Sequence, residues 1–220
     1  MQKLHVVLAV DRAGLVGEDG ETHHGVFDVG FLRQAPGMAI LCPASLAELR
    51  DMMRWAVSEY TGPVAVRYPR GGNGQYTESA WKEFGKSGIC CHNQGKDVTI
   101  VTYGKLVNNA LAAADKLESI GIRATVLRLL SVAPLPTKQV LSQMSQNPHL
   151  VVLEETCTNS GISQALTWEM QKLNPSCRVD SIDLGGNYVT HGAVDMLYKH
   201  HGLDADSIAN YIREVISVEN

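Results

Sequence analysis

Apolar and polar positions along this chain fall into blocks of two kinds. Three short apolar runs, Leu4 to Val10, Met38 to Leu41 and Pro63 to Tyr68, carry no helical period and read as buried strands. Between the second and the third, Leu46, Leu49, Met52, Met53, Ala56 and Val57 recur at helical spacing and predict one apolar helix face. Ser45 opens that helix, Glu48 completes a capping box, and Thr61-Gly62-Pro63 ends it. The same grammar returns further on. Asp97 to Tyr103, Ile122 to Leu129, Leu150 to Glu154 and Val179 to Leu184 read as strands. Leu106 to Ile120, Ile162 to Leu173, Val194 to Tyr198 and Asp206 to Ile216 read as helices. Strand-helix-strand order implies right-handed crossovers, so the expected fold class is α/β, in two regions with mainly parallel sheets.

Pro69 to Gly88 interrupts this order with Pro-Arg-Gly-Gly-Asn-Gly and then polar residues, the composition of a linker. The expected division is residues 1–70 as a first region, 71–96 as linker and 97–220 as a small α/β domain. Three strands are few for the first region. Buried parallel strands need neighbours on both sides, so further strands are expected before Met1.

Composition narrows the class. Apolar residues make up 45% and charged residues 19%, which fits a globular protein and excludes disorder. Lys and Arg number 19 against 23 Asp and Glu, so a basic surface built for nucleic acid is excluded, although a local basic pocket is not. Apolar runs such as Val6 to Val10 are too short to span a bilayer, and the opening residues do not read as a signal peptide, so a cytoplasmic location is expected. Five cysteines without a C-x-x-C pair argue against zinc and for reduced thiols.

The chemistry concentrates in the loop from Asp11 to Gly25, at the carboxyl end of the first strand, where open α/β sheets place ligands. It carries Arg12, Asp19, His23 and His24 among glycines that let backbone approach a ligand. Arg67 and Arg70 lie at the carboxyl end of the third strand, which puts Arg70 on the same rim as Arg12. Two guanidinium forks there suit a phosphate dianion; surface charges, or pairs with Asp and Glu, are the alternative. His23 and His24 point opposite ways in an extended loop and do not read as a metal pair, whereas one of them as acid, base or donor fits near-neutral pH. Glu154-Glu155 reads as capping or pairing carboxylates, and His191-Gly192 as a turn before a helix.

These residues also carry a resemblance. Asp11-Arg12-Ala13-Gly14, Gly17-Glu18-Asp19-Gly20 and Thr22-His23-His24-Gly25 with Phe27-Asp28 resemble the signature of the 1-deoxy-D-xylulose-5-phosphate synthase family, and Arg67-Tyr68-Pro69-Arg70-Gly71 resembles its second signature. Pro43, Ser45 and Gly202-Leu203-Asp204 also fit, and the Gly-Glu-Asp-Gly-x-Thr-His segment is shared with transketolases. The resemblance implies half of a transketolase-like pyrimidine-binding domain followed by a transketolase C-terminal-type domain. It implies a homodimer that condenses pyruvate with glyceraldehyde 3-phosphate, with loss of carbon dioxide, using thiamine diphosphate and magnesium. The product feeds isoprenoid, thiamine and pyridoxal synthesis. Arg12 and Arg70 would grip the acceptor phosphate, Asp19 would hydrogen-bond the acceptor, and His23 would face the reacting centre; His24 stays outside the site. Members are about three times this length. Their Gly-Asp-Gly diphosphate motif and their activating glutamate are not found here, so the cofactor site is expected upstream of Met1 and the isolated chain is expected to be inactive. A subunit of a split synthase, or a non-catalytic binding module of the same fold, are the alternatives.

Overall fold

The computed structural model describes residues 4–144 and 146–218. The described residues form two sheets. The first has the order β1 (Val7–Val10), β3 (Val64–Arg67), β2 (Ala39–Leu41) and β7 (Ser131–Ala133). Its first three strands are parallel, in register from Val7 opposite Val64 and Ala39 opposite Val64. The second sheet has the order β4 (Ile89–Asn93), β6 (Ala124–Leu129), β5 (Val98–Tyr103), β8 (His149–Leu153) and β9 (Arg178–Ile182), with β4 alone antiparallel. The α/β class with mainly parallel sheets is therefore present.

Helices cover the sheets where the apolar periodicity lay. They are α2 (Leu46–Ser58), α3 (Val107–Ser119), α5 (Ser163–Leu173), α6 (Val194–His200) and α7 (Ala205–Val218). Ser45 caps α2 by accepting the Glu48 N–H at 3.1 Å. Met52 and Ala56 of α2 are fully buried, while Leu46 and Val57, expected on the same face, are exposed. Val57 follows Ala56 by about 100° around the helix and so turns away from the sheet.

Four elements lay outside the sequence reading: α1 (Asp28–Leu32), α4 (Thr137–Gln143), β4 and β7. Of these, β4 falls inside the 71–96 stretch read as linker, and β7 carries chain from beyond residue 97 into the first sheet, antiparallel to β2. The stretch before β4 is also packed. Trp81 and Phe84 stack at 4.4 Å and both lie against Trp55 of α2. At the other edge of the first sheet, β1 pairs among the described residues with β3 alone, and its side chains are less buried than those of β2 and β3, which are wholly covered. All five cysteines are free. No helix of the described residues is long and apolar enough to cross a membrane.

Candidate functional site

The loop from Asp11 to Gly25 leaves β1 at its carboxyl end and returns to its own starting point. The Gly14 N–H donates to the Gly25 carbonyl at 2.9 Å, and the Gly25 N–H donates to the carbonyls of Arg12 and Gly14, each at 3.0 Å. A side chain at Gly25 would overlap the Arg12 carbonyl, so this neck closes only on glycine. The Ala13 N–H donates to the Tyr68 carbonyl at 3.0 Å, which ties the loop to the segment after β3.

Two buried acid groups hold the loop from outside. Asp28, at the start of α1, accepts Arg67 Nε at 2.8 Å, and Arg67 NH2 donates to the Gly25 carbonyl at 2.7 Å. Burial would lower the Arg67 pKa, but the Asp28 carboxylate more than offsets it and drives the value up. Glu155, beyond β8, accepts the Leu15 N–H at 3.3 Å and the Tyr198 hydroxyl at 2.7 Å. Gly14 lies directly over that carboxylate, and a Cβ there would stand 2.6 Å from Glu155 Oε1. Glu154 points the other way and caps α5, accepting the N–H groups of Ile162 at 2.7 Å and Ser163 at 2.9 Å.

Three of the four sequence-predicted site residues meet on one carboxylate. Arg70 NH1 donates to Asp19 Oδ2 at 2.5 Å, and Arg12 Nε lies 3.8 Å from the same oxygen. Arg12 takes a left-handed backbone with φ of 57°, rare outside glycine, and its Nε is buried without a hydrogen-bond partner. Its NH1 reaches Asp11 at 3.5 Å. Asp19 ends a single 3-10 turn, Gly17–Asp19, and glycines with φ of 78° and 72° stand at Gly17 and Gly20.

His23, the fourth, lies exposed further along the loop with its Nδ1 2.9 Å from Thr22 Oγ1. His24 turns inward. Its Nδ1 accepts the Val16 N–H at 3.1 Å, which leaves the proton on Nε2, 3.3 Å from the Thr190 carbonyl. The second histidine is thus a strut of the loop.

Arg67 is also structural. Nothing in local sequence separated it from Arg70; three residues carry the chain from a buried strand end to an exposed rim. Glu155 is the pairing carboxylate that the sequence reading made it, but that it, Tyr198 and Asp28 support this loop went unread, since their partners lie up to 140 residues away in the chain.

A diphosphate-bound magnesium would need acidic or amide oxygens free to face it. Among the described residues no three His, Cys, Asp or Glu side chains converge to hold a metal ion. The buried carboxylates are engaged elsewhere: Asp28 with Arg67, Glu48 with Arg128, Glu154 with Tyr103 and a helix end, Glu155 with Tyr198. Among the described residues, these buried carboxylates are therefore not free to face a metal-bound diphosphate.

A wound parallel sheet with a charged loop at its carboxyl rim, joined to a second α/β sheet, defines the class. Residues 89–208 match the transketolase C-terminal domain model and residues 1–74 the transketolase pyrimidine-binding domain model, so the chain belongs to the transketolase family of thiamine diphosphate-dependent transferases. Within it, the chain is similar over its whole length to 1-deoxy-D-xylulose-5-phosphate synthases. It is 39% identical to that of Heliobacterium modesticaldum over 222 residues, all of this chain and 34% of the relative. It is 37% identical to that of Clostridium kluyveri over 99% of this chain and 35% of the relative. The chain thus spans about a third of the length of the curated relatives it matches. Among solved structures it resembles a "split gene transketolase, inactive beta4 tetramer", with a TM-score of 0.81 and 25% identity over 99% of this chain and 69% of that one. A Pichia stipitis transketolase shares the fold, with a TM-score of 0.79 and 19% identity over 98% of this chain and 31% of that one.

Proposed function

We propose that this chain is the carboxyl-terminal portion of a cytoplasmic 1-deoxy-D-xylulose-5-phosphate synthase and supplies the acceptor-phosphate side of its active site. The complete enzyme joins pyruvate to D-glyceraldehyde 3-phosphate with loss of carbon dioxide, as a homodimer. Thiamine diphosphate and magnesium are held by chain outside these residues. The observation that carries this reading is the convergence of Arg12 and Arg70 on Asp19 Oδ2. Guanidinium groups stay charged and present planar forks of donors, which match phosphate oxygens. Arg12 and Arg70 grip the acceptor phosphate, and Asp19 accepts a hydroxyl of the same molecule. Thr22 engages His23 at Nδ1, so Nε2 is the nitrogen that exchanges a proton with the reacting centre.

A subunit of a split synthase, completed by a separate amino-terminal polypeptide, is the second reading. The likeness to a split-gene transketolase chain favours it. A binding module that has lost the chemistry is the competing reading. Mixing this chain with the amino-terminal two thirds of the Heliobacterium synthase, with cofactor and magnesium, tests the assignment. Carbon dioxide release from pyruvate that depends on glyceraldehyde 3-phosphate is expected from the mixture alone, with Arg12→Ala and Arg70→Ala raising the KM for the aldehyde. An inactive mixture, or micromolar thiamine diphosphate binding by this chain alone, would overturn it.

A further inference from the structure

The two guanidinium groups do not meet across open space; a carboxylate already stands between them. Asp19 Oδ2 accepts Arg70 NH1 at 2.5 Å and lies 3.8 Å from Arg12 Nε, so one oxygen serves both cations. Arg12 Nε has no hydrogen-bond partner although it is buried, which leaves a charged donor aimed at the same spot and unsatisfied. The side chains of Arg12 and Arg70 are about half exposed and that of Asp19 is 30% exposed, so the pair is held weakly and can be exchanged. The Gly17–Asp19 turn begins at Gly17 and is followed by Gly20, both at positive φ, a backbone that glycine adopts without strain and that sets the Asp19 carboxylate on the rim.

We propose that Asp19 is a built-in stand-in for the substrate's phosphate: it keeps the Arg12–Arg70 clamp assembled, and a phosphomonoester binds by displacing it. This rests on the reading of Arg12 and Arg70 as a phosphate clamp and adds a competition to it. A phosphate dianion outbids a single carboxylate because it carries twice the charge and three oxygens for the two forks. The displaced carboxylate then becomes free to accept a hydroxyl of the sugar portion, so a ligand bearing both phosphate and hydroxyl is favoured over phosphate alone. Asp11 also faces Arg12, at 3.5 Å from NH1, but bridges nothing.

Calorimetric titration of inorganic phosphate into the 220-residue chain at one pH and ionic strength tests this. Asp19→Asn and Asp19→Ala are expected to bind phosphate about two- to fivefold more tightly than the unaltered chain, the range an exposed ion pair spans. Asp11→Asn removes an equal charge beside the same arginine and is expected to tighten binding less. Equal or weaker binding by both Asp19 variants, or equal tightening by Asp11→Asn, would overturn the proposal. Arg12→Ala and Arg70→Ala separate the two readings. If they lose phosphate while the Asp19 variants gain nothing, the clamp stands and the stand-in falls. If they bind phosphate as well as the unaltered chain, both fall.

Discussion

Arg67 and Arg70 are three residues apart, and their surroundings give them opposite roles. Arg67 is buried with Asp28 and the Gly25 carbonyl, so removing it strands a carboxylate in a low-dielectric interior. Arg67→Leu is expected to lower unfolding free energy by about 3–5 kcal/mol in urea titration. Arg70 is half exposed, and Arg70→Ala is expected to change stability by about 1 kcal/mol or less while weakening phosphate binding. The sequence pattern put both arginines at the end of a strand but could not divide them. Burial at that point is set by Gly25 and Asp28, which reach Arg67 from 42 and 39 positions away. The histidines divide likewise. His24 is claimed by the Val16 N–H and the Thr190 carbonyl, and only the first of these partners is near it in sequence.

At the scale of elements, α2 and β6 are locked through one ion pair. Glu48 and Arg128 are both fully buried; NH1 donates to Oε2 at 2.7 Å and NH2 to Oε1 at 2.9 Å. Ser45 accepts the Glu48 N–H as the spacing announced, but the Glu48 carboxylate accepts the N–H groups of Ala44 at 2.8 Å and Ala80 at 3.1 Å, where a capping box would place it on Ser45. Arg128→Met should cost about 3–5 kcal/mol, and adding Glu48→Leu should recover only part of it, because the paired removal leaves no buried charge alone but strands the N–H groups of Ala44 and Ala80. Urea midpoints of the two variants check this. His92 of β4 sits 3.3 Å from Arg128 Nε, and burial, reinforced by the Arg128 charge, pushes its pKa down to about 4. In the unfolded chain it titrates near 6.5. Between these values the unfolded chain takes up a proton that the fold refuses. Stability is therefore full above about pH 6.5 and falls as pH drops towards 4. His92→Gln is expected to flatten that segment of the stability profile, measured as urea midpoint against pH.

For the whole molecule, the strands and helices with clear periodicity were legible in sequence, and the way the two halves interlock was not. Three-residue β7 has too little pattern to be seen, yet it carries the second half of the chain into the first sheet beside β2. The polar composition after Pro69 hid Trp81 and Phe84, which cover α2. Since β7 and the Glu48–Arg128 pair bridge both sheets, they are expected to unfold together. Emission from Trp55 and Trp81, packed on the first sheet, and from Trp168 on α5 should give one urea midpoint in single-tryptophan variants; two midpoints would show separate units.

Joint action of Arg12 and Arg70 on a bound phosphate would register in their own side-chain signals. D-glyceraldehyde 3-phosphate should be titrated into isotope-labelled chain while the arginine Nε–Hε resonances are followed. The Arg12 and Arg70 signals are expected both to move and to saturate with a single dissociation constant, while that of Arg67 stays in place. Movement of only one of the pair, or of neither, would contradict it.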